Sequence, residues 1–401
     1  MKASINKIAD LGLPLIYQAD TAVTPAYGTP NNQMGDAVRT VVTSLSGFQK
    51  EAFVTSARTG TTWRMVSDEG KNLNGNDAAP PPLGFLAVGM IASYMTEISA
   101  LAEIRGVTIN DLRLKMDNYY SMTGSMPRKT MVGGALPVEL TVDIDCSLQG
   151  SALNQFLIDA VTASSLNGLL RGHLDSLFRL ARNGTEIAPA DKKAPDLALL
   201  PEATTAALEF GIIHSDDVLL DPLGPSPSAA SVGSKASGAY SVKDAKGTLI
   251  HVGTSATYRA DGIKEIRQQL YSPNGTEWHF LSDEAIESGG QGRAPDANAY
   301  VAAGIGFCFM TQFGILIDVH KLDVERYQIL QDMHFSLGGA SGKTGKAGDA
   351  GAVETHVHLM TGESDDVAQE LLFLAEQSCF LHALCRSELK TKLHVKTALV
   401  T

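Results

Sequence analysis

An internal repeat limits the fold of this chain more than any other feature. Residues 60–69 read GTTWRMVSDE and residues 275–284 read GTEWHFLSDE, identical at six of ten positions at an offset of 215 (275 − 60). The register continues without a gap. Gly75 matches Gly290, Pro80 matches Pro295, Gly89 matches Gly304, and Met95-Thr96 matches Met310-Thr311. Further on, Glu139, Val142, Ala160, Leu166 and Arg171 match Glu354, Val357, Ala375, Leu381 and Arg386. A repeat of that length predicts two copies of one folding unit in tandem. The expected layout is an N-terminal arm over 1–45, a first unit over 46–184, a Pro/Ala/Ser/Gly-rich and partly mobile linker over 185–240, and a second unit over 241–401.

Each copy reads the same way: a strand ending in SDE, a Gly/Pro-rich loop, then a long apolar helix at about 82–105 and 296–317. The second helix contains the run AYVAAGIGFCFMTQFGILI around Cys308. A helix apolar on every side is buried, in a membrane or in a large core. Gln312 and Thr311 inside the run, and Glu97 in the matching helix, point to a core. Alternating strands follow, with Leu112, Leu114 and Met116 on one face, then Val138, Leu140, Val142 and Ile144, matched by Val353, Thr355, Val357 and Leu359. Period-two alternation is expected of an antiparallel sheet with one wet face. A helix closes the unit, capped in the second copy by Ser364 before Asp365 and Asp366. Ala368, Leu372, Ala375, Cys379 and Ala383 recur at helical spacing and turn Cys379 toward the core.

The offset maps Cys308 onto Ser93 and Cys379 onto Ser164. Both positions change together, as a working pair would. The other cysteines, Cys146 and Cys385, face Thr361 and Leu170 and show no such pattern. Four cysteines in 401 residues make no disulfide scaffold. The chain opens without a charged start and apolar leader, which suggests a cytoplasmic, reducing setting. A net charge of −12 with no basic patch argues against nucleic acid or an anionic membrane as partner. No cofactor or metal is expected. Cys379, His382 and Cys385 lack a recognised zinc spacing. His356 and His358 are expected on a solvated strand face beside Glu354, and GGASGKTGK misses the P-loop count.

The segments SDE…GGQGRAPDANAYVAAGIGFC and AEQSCFLHALC, with Pro295 and Cys308 thirteen residues apart, resemble the OsmC/Ohr family (osmotically induced protein C and organic hydroperoxide resistance proteins). The resemblance covers roughly 46–180 and 250–401. It implies an α+β fold of two OsmC-like units, each an antiparallel sheet wrapped on a buried central helix, joined as an intrachain pseudo-dimer. It implies that Cys308 is the peroxidatic thiol and Cys379 the resolving one. The substrate would be an organic hydroperoxide or other small apolar ligand, and an external dithiol would restore the pair. Peroxide-reducing members carry a glutamate ten residues before the first cysteine, where this chain has Asn298. They carry an arginine in an early loop, for which Arg259 is the best positional match. His382 would tune Cys379. A non-catalytic redox-responsive or ligand-binding protein is the alternative, and a homodimer of pseudo-dimers remains open.

Overall fold

The computed structural model describes residues 5–20, 28–172, 174–203, 211–226 and 248–397. Two apolar helices, Pro82–Arg105 and Ala297–His320, cross at its centre. Each is long and apolar enough to cross a membrane, and 83% of each most apolar window is buried inside the protein. Pro82 occupies the first turn of one helix, where a missing N–H costs nothing. Asp296 caps the other by accepting from the Ala299 amide.

The helices meet through glycines in a reciprocal contact. A Cβ on Gly89 would lie 2.5 Å from the Ala297 carbonyl and 2.7 Å from Val301. A Cβ on Gly304 would lie 2.8 Å from the Leu86 amide and 3.0 Å from the Pro82 carbonyl. Pro82 and Leu86 are the 215-offset partners of Ala297 and Val301. The contact therefore repeats about an approximate two-fold, the mark of an isologous interface.

Two sheets sandwich the helices, and each takes strands from both halves. In the first, Thr62–Ser67, Gln49–Ser56 and Gly35–Ser46 continue into Val324–Ser336 and Val353–Thr361. In the second, Thr276–Ser282, Lys264–Ser272 and Thr248–Tyr258 continue into Ile109–Thr123 and Val138–Cys146. The joins are antiparallel, Val41 opposite Leu330 and Val252 opposite Asn118. Ser176–Arg182 and Thr391–Thr397 then add in parallel to the other half's last strand. The lines drawn at 46–184 and 241–401 thus do not bound two separate sheets.

Three other expectations change. The 1–45 arm contains two strands, Ile16–Asp20 and Gly35–Ser46, the latter at a sheet centre. Residues 36–42 are buried on both faces, so they carry no polar alternation to read. The 185–240 linker includes strands Thr185–Ile187, Gly211–Ile213 and Leu220–Pro225. Its expected mobile residues at 204–210 and 227–240 lie outside the described residues. His356 and His358 are buried, not solvated. The segment around Leu200 lies over them, donating its amide to His356 Nδ1 at 3.1 Å and accepting from His358 Nε2 at 2.9 Å.

Candidate functional site

Cys308, Thr311, Gln312 and Ile315 fall at i, i+3, i+4 and i+7 on the second central helix and so share one face. Cys379 reaches that face from a break between helices. Asp365–Ser378 ends there, Cys379 is extended (φ −73°, ψ 121°), and Phe380–Cys385 resumes the helix. Sequence periodicity had run one helix through Cys379. The same break falls at Ser164 in the first half (φ −65°, ψ 126°), so it belongs to the scaffold.

The break brings the Cys379 and Cys308 sulfurs to 3.4 Å. Both are free thiols, in contact but longer than a covalent S–S bond of about 2.05 Å. His382 Nδ1 lies 3.3 Å from the Cys379 sulfur, and its ring packs against Phe178 and Phe309. Burial pushes the His382 imidazole down to about 4, against the pull of Glu376. It is therefore neutral at pH 7, with Nδ1 within hydrogen-bond reach of the Cys379 thiol. Burial pushes the Cys308 thiol well above its ordinary range, and hydrogen bonding to Cys379 raises it further; the Leu381 amide N–H opposes both.

Cys308 forms part of the wall of an apolar pocket of about 510 Å³. Leu83, Met122, Met126 and Met131 come from the first half, and Ile250 and Phe380 from the second. Glu69, also from the first half, marks its polar end. It accepts from the Thr311 hydroxyl at 2.7 Å and lies 3.5 Å from the Lys50 ammonium. Burial raises the Glu69 carboxyl despite Lys50.

The first half repeats this arrangement with other side chains. The Ser93 and Ser164 hydroxyls sit 2.7 Å apart. Glu284, from the second half, accepts from Thr96 at 2.8 Å and from Lys264 at 2.7 Å. Burial pushes Glu284 up, but Lys264 and the two hydrogen bonds outweigh it and hold the carboxyl low. The space beside Ser93 is about 50 Å³ and is lined by Asp36, Arg58, Glu97, Glu284 and Asp296. Burial and Asp36 push Asp296 up to about 7.

Residues 290–394 match the family model described as OsmC-like protein. This stretch is an OsmC-like domain. It contains both cysteines, the whole second central helix and the closing helices. No curated protein matches the chain. A solved structure described as an OsmC-like hydroperoxide resistance protein from Jannaschia sp. CCS1 aligns with 33% of this chain and 81% of its own, at 18% identity and a TM-score of 0.19. At that score the likeness adds nothing to the family match.

Two supporting residues expected of the OsmC-like domain stand elsewhere. Asn298 donates to Asp36 at 2.7 Å in the Ser93 pocket. Ten residues along a helix span about 15 Å, and Asn298 lines the Ser93 pocket while Cys308 lines the other. Leu83, the 215-offset partner of Asn298, lines the Cys308 pocket. Arg259 sits in the turn after Thr248–Tyr258, paired with Asp217 at 2.8 Å and Asp261 at 2.7 Å, and does not line the thiol pocket. His382 is where the sequence reading put it, beside Cys379. Sequence reasoning missed Glu69, Lys50 and Gln312. A signal for Glu69 was present: the repeated SDE and the repeated Met-Thr pair supply the two ends of the Glu69–Thr311 and Glu284–Thr96 contacts.

Proposed function

We propose that the OsmC-like domain is a thiol-dependent peroxidase that reduces organic hydroperoxides. One observation carries the reading: two thiols 3.4 Å apart at the wall of an apolar pocket of about 510 Å³. An apolar pocket favours a substrate with a hydrocarbon body over hydrogen peroxide. The Cys308 sulfur attacks the terminal peroxide oxygen. An S–O bond forms and the O–O bond breaks; the thiol proton passes to the departing alkoxide, giving the alcohol and a Cys308 sulfenic acid. The Cys379 sulfur then attacks Cys308: the S–S bond forms, the S–O bond breaks, and the Cys379 thiol proton goes to the departing hydroxyl, which leaves as water. An external dithiol restores both thiols by exchange and is itself oxidised to a disulfide. We place this reaction in the reducing cytoplasm and take the first half as a duplicated, chemically silent copy that supplies pocket wall.

A second reading rests on the raised Cys308 thiol. A buried thiol with no cation against it is a poor nucleophile, which suits a redox-responsive or ligand-binding protein. Replacing Cys308 by serine separates the two. The peroxidase reading expects hydroperoxide consumption to fall to the uncatalysed rate; turnover that survives overturns it. Mass spectrometry after one equivalent of an organic hydroperoxide should find a loss of about 2 Da mapped to a Cys308–Cys379 link, the two thiol hydrogens.

A further inference from the structure

The thiol pocket contains one buried polar atom that nothing in the fold uses. Gln312 is 2% exposed, lines the pocket, and its Oε1 has no hydrogen-bond partner among the described residues. Two other polar side chains of the pocket are engaged. Thr311 donates to Glu69, and the Ser272 hydroxyl donates to the Leu249 carbonyl at 3.2 Å. Buried acceptors are almost always satisfied, so one left open in an apolar pocket points to a ligand that brings a donor.

The first half shows why this acceptor is open. The partner of Gln312 at the 215 offset is Glu97, also 2% exposed. Its carboxylate accepts from the Ala340 amide at 2.8 Å, the Ser341 amide at 3.2 Å and the Ser341 hydroxyl. The GGASGKTGK loop thus cradles the protein's own carboxylate. The matching loop in the other half has Met126 where Ser341 stands and Pro127 where Gly342 stands. Met126 lines the pocket with an apolar side chain that has no hydroxyl to give. The same helix position that is tied to a loop in one half has no partner among the described residues in the other.

We propose that Gln312 Oε1 accepts the hydrogen bond of the substrate's terminal O–H and so holds the peroxide's outer oxygen beside Cys308. This deepens the peroxidase reading and rests on it. Gln312 follows Cys308 by one helical turn, about 6 Å along the axis and on the same face, so a rotation of its amide, which no hydrogen bond holds, brings Oε1 to an oxygen held at the sulfur. An alkyl hydroperoxide brings one donor, on the oxygen the thiol attacks. A dialkyl peroxide or a disulfide brings none. Gln312 thereby makes the pocket selective for hydroperoxides among apolar oxidants.

The test is Gln312→Met, which keeps the shape and removes the acceptor. With tert-butyl hydroperoxide, kcat/KM should fall about tenfold, mostly through KM, the effect of losing one binding hydrogen bond. Oxidation of the same dithiol by 4,4′-dithiodipyridine, which has no O–H or N–H, should stay within about twofold of the native rate. Thermal stability should be equal or higher, because a buried acceptor without a partner is gone. Native hydroperoxide turnover with an unchanged variant overturns the role of Gln312 and leaves the peroxidase reading intact. An equal fall with both oxidants also overturns it, since that marks a damaged pocket. Native protein that reacts with dithiodipyridine but turns over no hydroperoxide overturns both readings together.

Discussion

The two halves build one pair site twice and fill it with different chemistry. Cys308 and Cys379 are separated by 71 residues, as are Ser93 and Ser164, and both pairs touch across the same helix break. Each site borrows a Glu–Lys pair from the opposite half. Yet the cysteine site opens on about 510 Å³ of apolar space and the serine site on about 50 Å³ of polar space. Three exchanges account for much of the contrast. Leu83 and Asn298 correspond, as do Gln312 and Glu97. So do Ile250 and Asp36, which pair with Tyr120 and Phe335 at the same offset. The scaffold sets where two side chains meet, and the lining decides what can reach them.

The strongest challenge to that contrast is a transplant. Ser93→Cys with Ser164→Cys, in a chain carrying Cys308→Ser and Cys379→Ser, should give a first-half disulfide on oxidation but no hydroperoxide turnover. Peptide mapping and peroxide assays read the two outcomes. Turnover at the native rate would show that the apolar pocket is dispensable.

A smaller effect concerns acid. Burial holds His382 at about 4 against an ordinary 6.5. Between those values the unfolded chain binds a proton that the folded chain refuses. Stability is therefore complete above pH 6.5 and falls as pH drops toward 4, by about 3 kcal/mol for a fully buried imidazole. His382→Asn copies Asn167 of the first half and should remove that loss, read by denaturant unfolding at pH 7 and pH 4.5. An unchanged pH slope would assign the acid sensitivity elsewhere, His356 being the next candidate because it too is pushed down to about 4 by burial.

The smallest effect tests the symmetry itself. Gly89→Ala and Gly304→Ala each force a methyl into the opposing helix. Overpacking of that kind costs about 1–3 kcal/mol, offset in part by the better helix propensity of alanine. Both variants should lose stability, Gly89→Ala more, since its Cβ would come closer to backbone. A neutral Gly304→Ala would mean that the contact is not reciprocal.

Much of this was legible in the sequence for a physical reason. Helix and strand periods, the Pro82 start and the Ser364 cap are local, so they survive in one dimension. The serine-for-cysteine exchange at both positions marks Cys308 and Cys379 as a pair in the sequence itself. Gly35–Ser46 was missed because a strand buried on both faces has no alternation. Asn298 was offered as a supporting residue by resemblance to the family, and about 15 Å of helix separates it from Cys308. His356 and His358 looked solvated because their cover comes from residues more than 150 positions earlier, across the sheet.

By itself, then, the sequence determined the repeated unit, its elements and the paired thiol positions. These depend on periodicity and register, which neighbouring residues encode. Only the tertiary structure decided that the sheets take strands from both halves. It alone showed that Glu69 lines the Cys308 pocket and that Asn298 lines the serine site. It alone showed that Gln312 has an open acceptor where Glu97 does not. Those outcomes depend on which distant segments pack together, and packing partners leave no period in the chain.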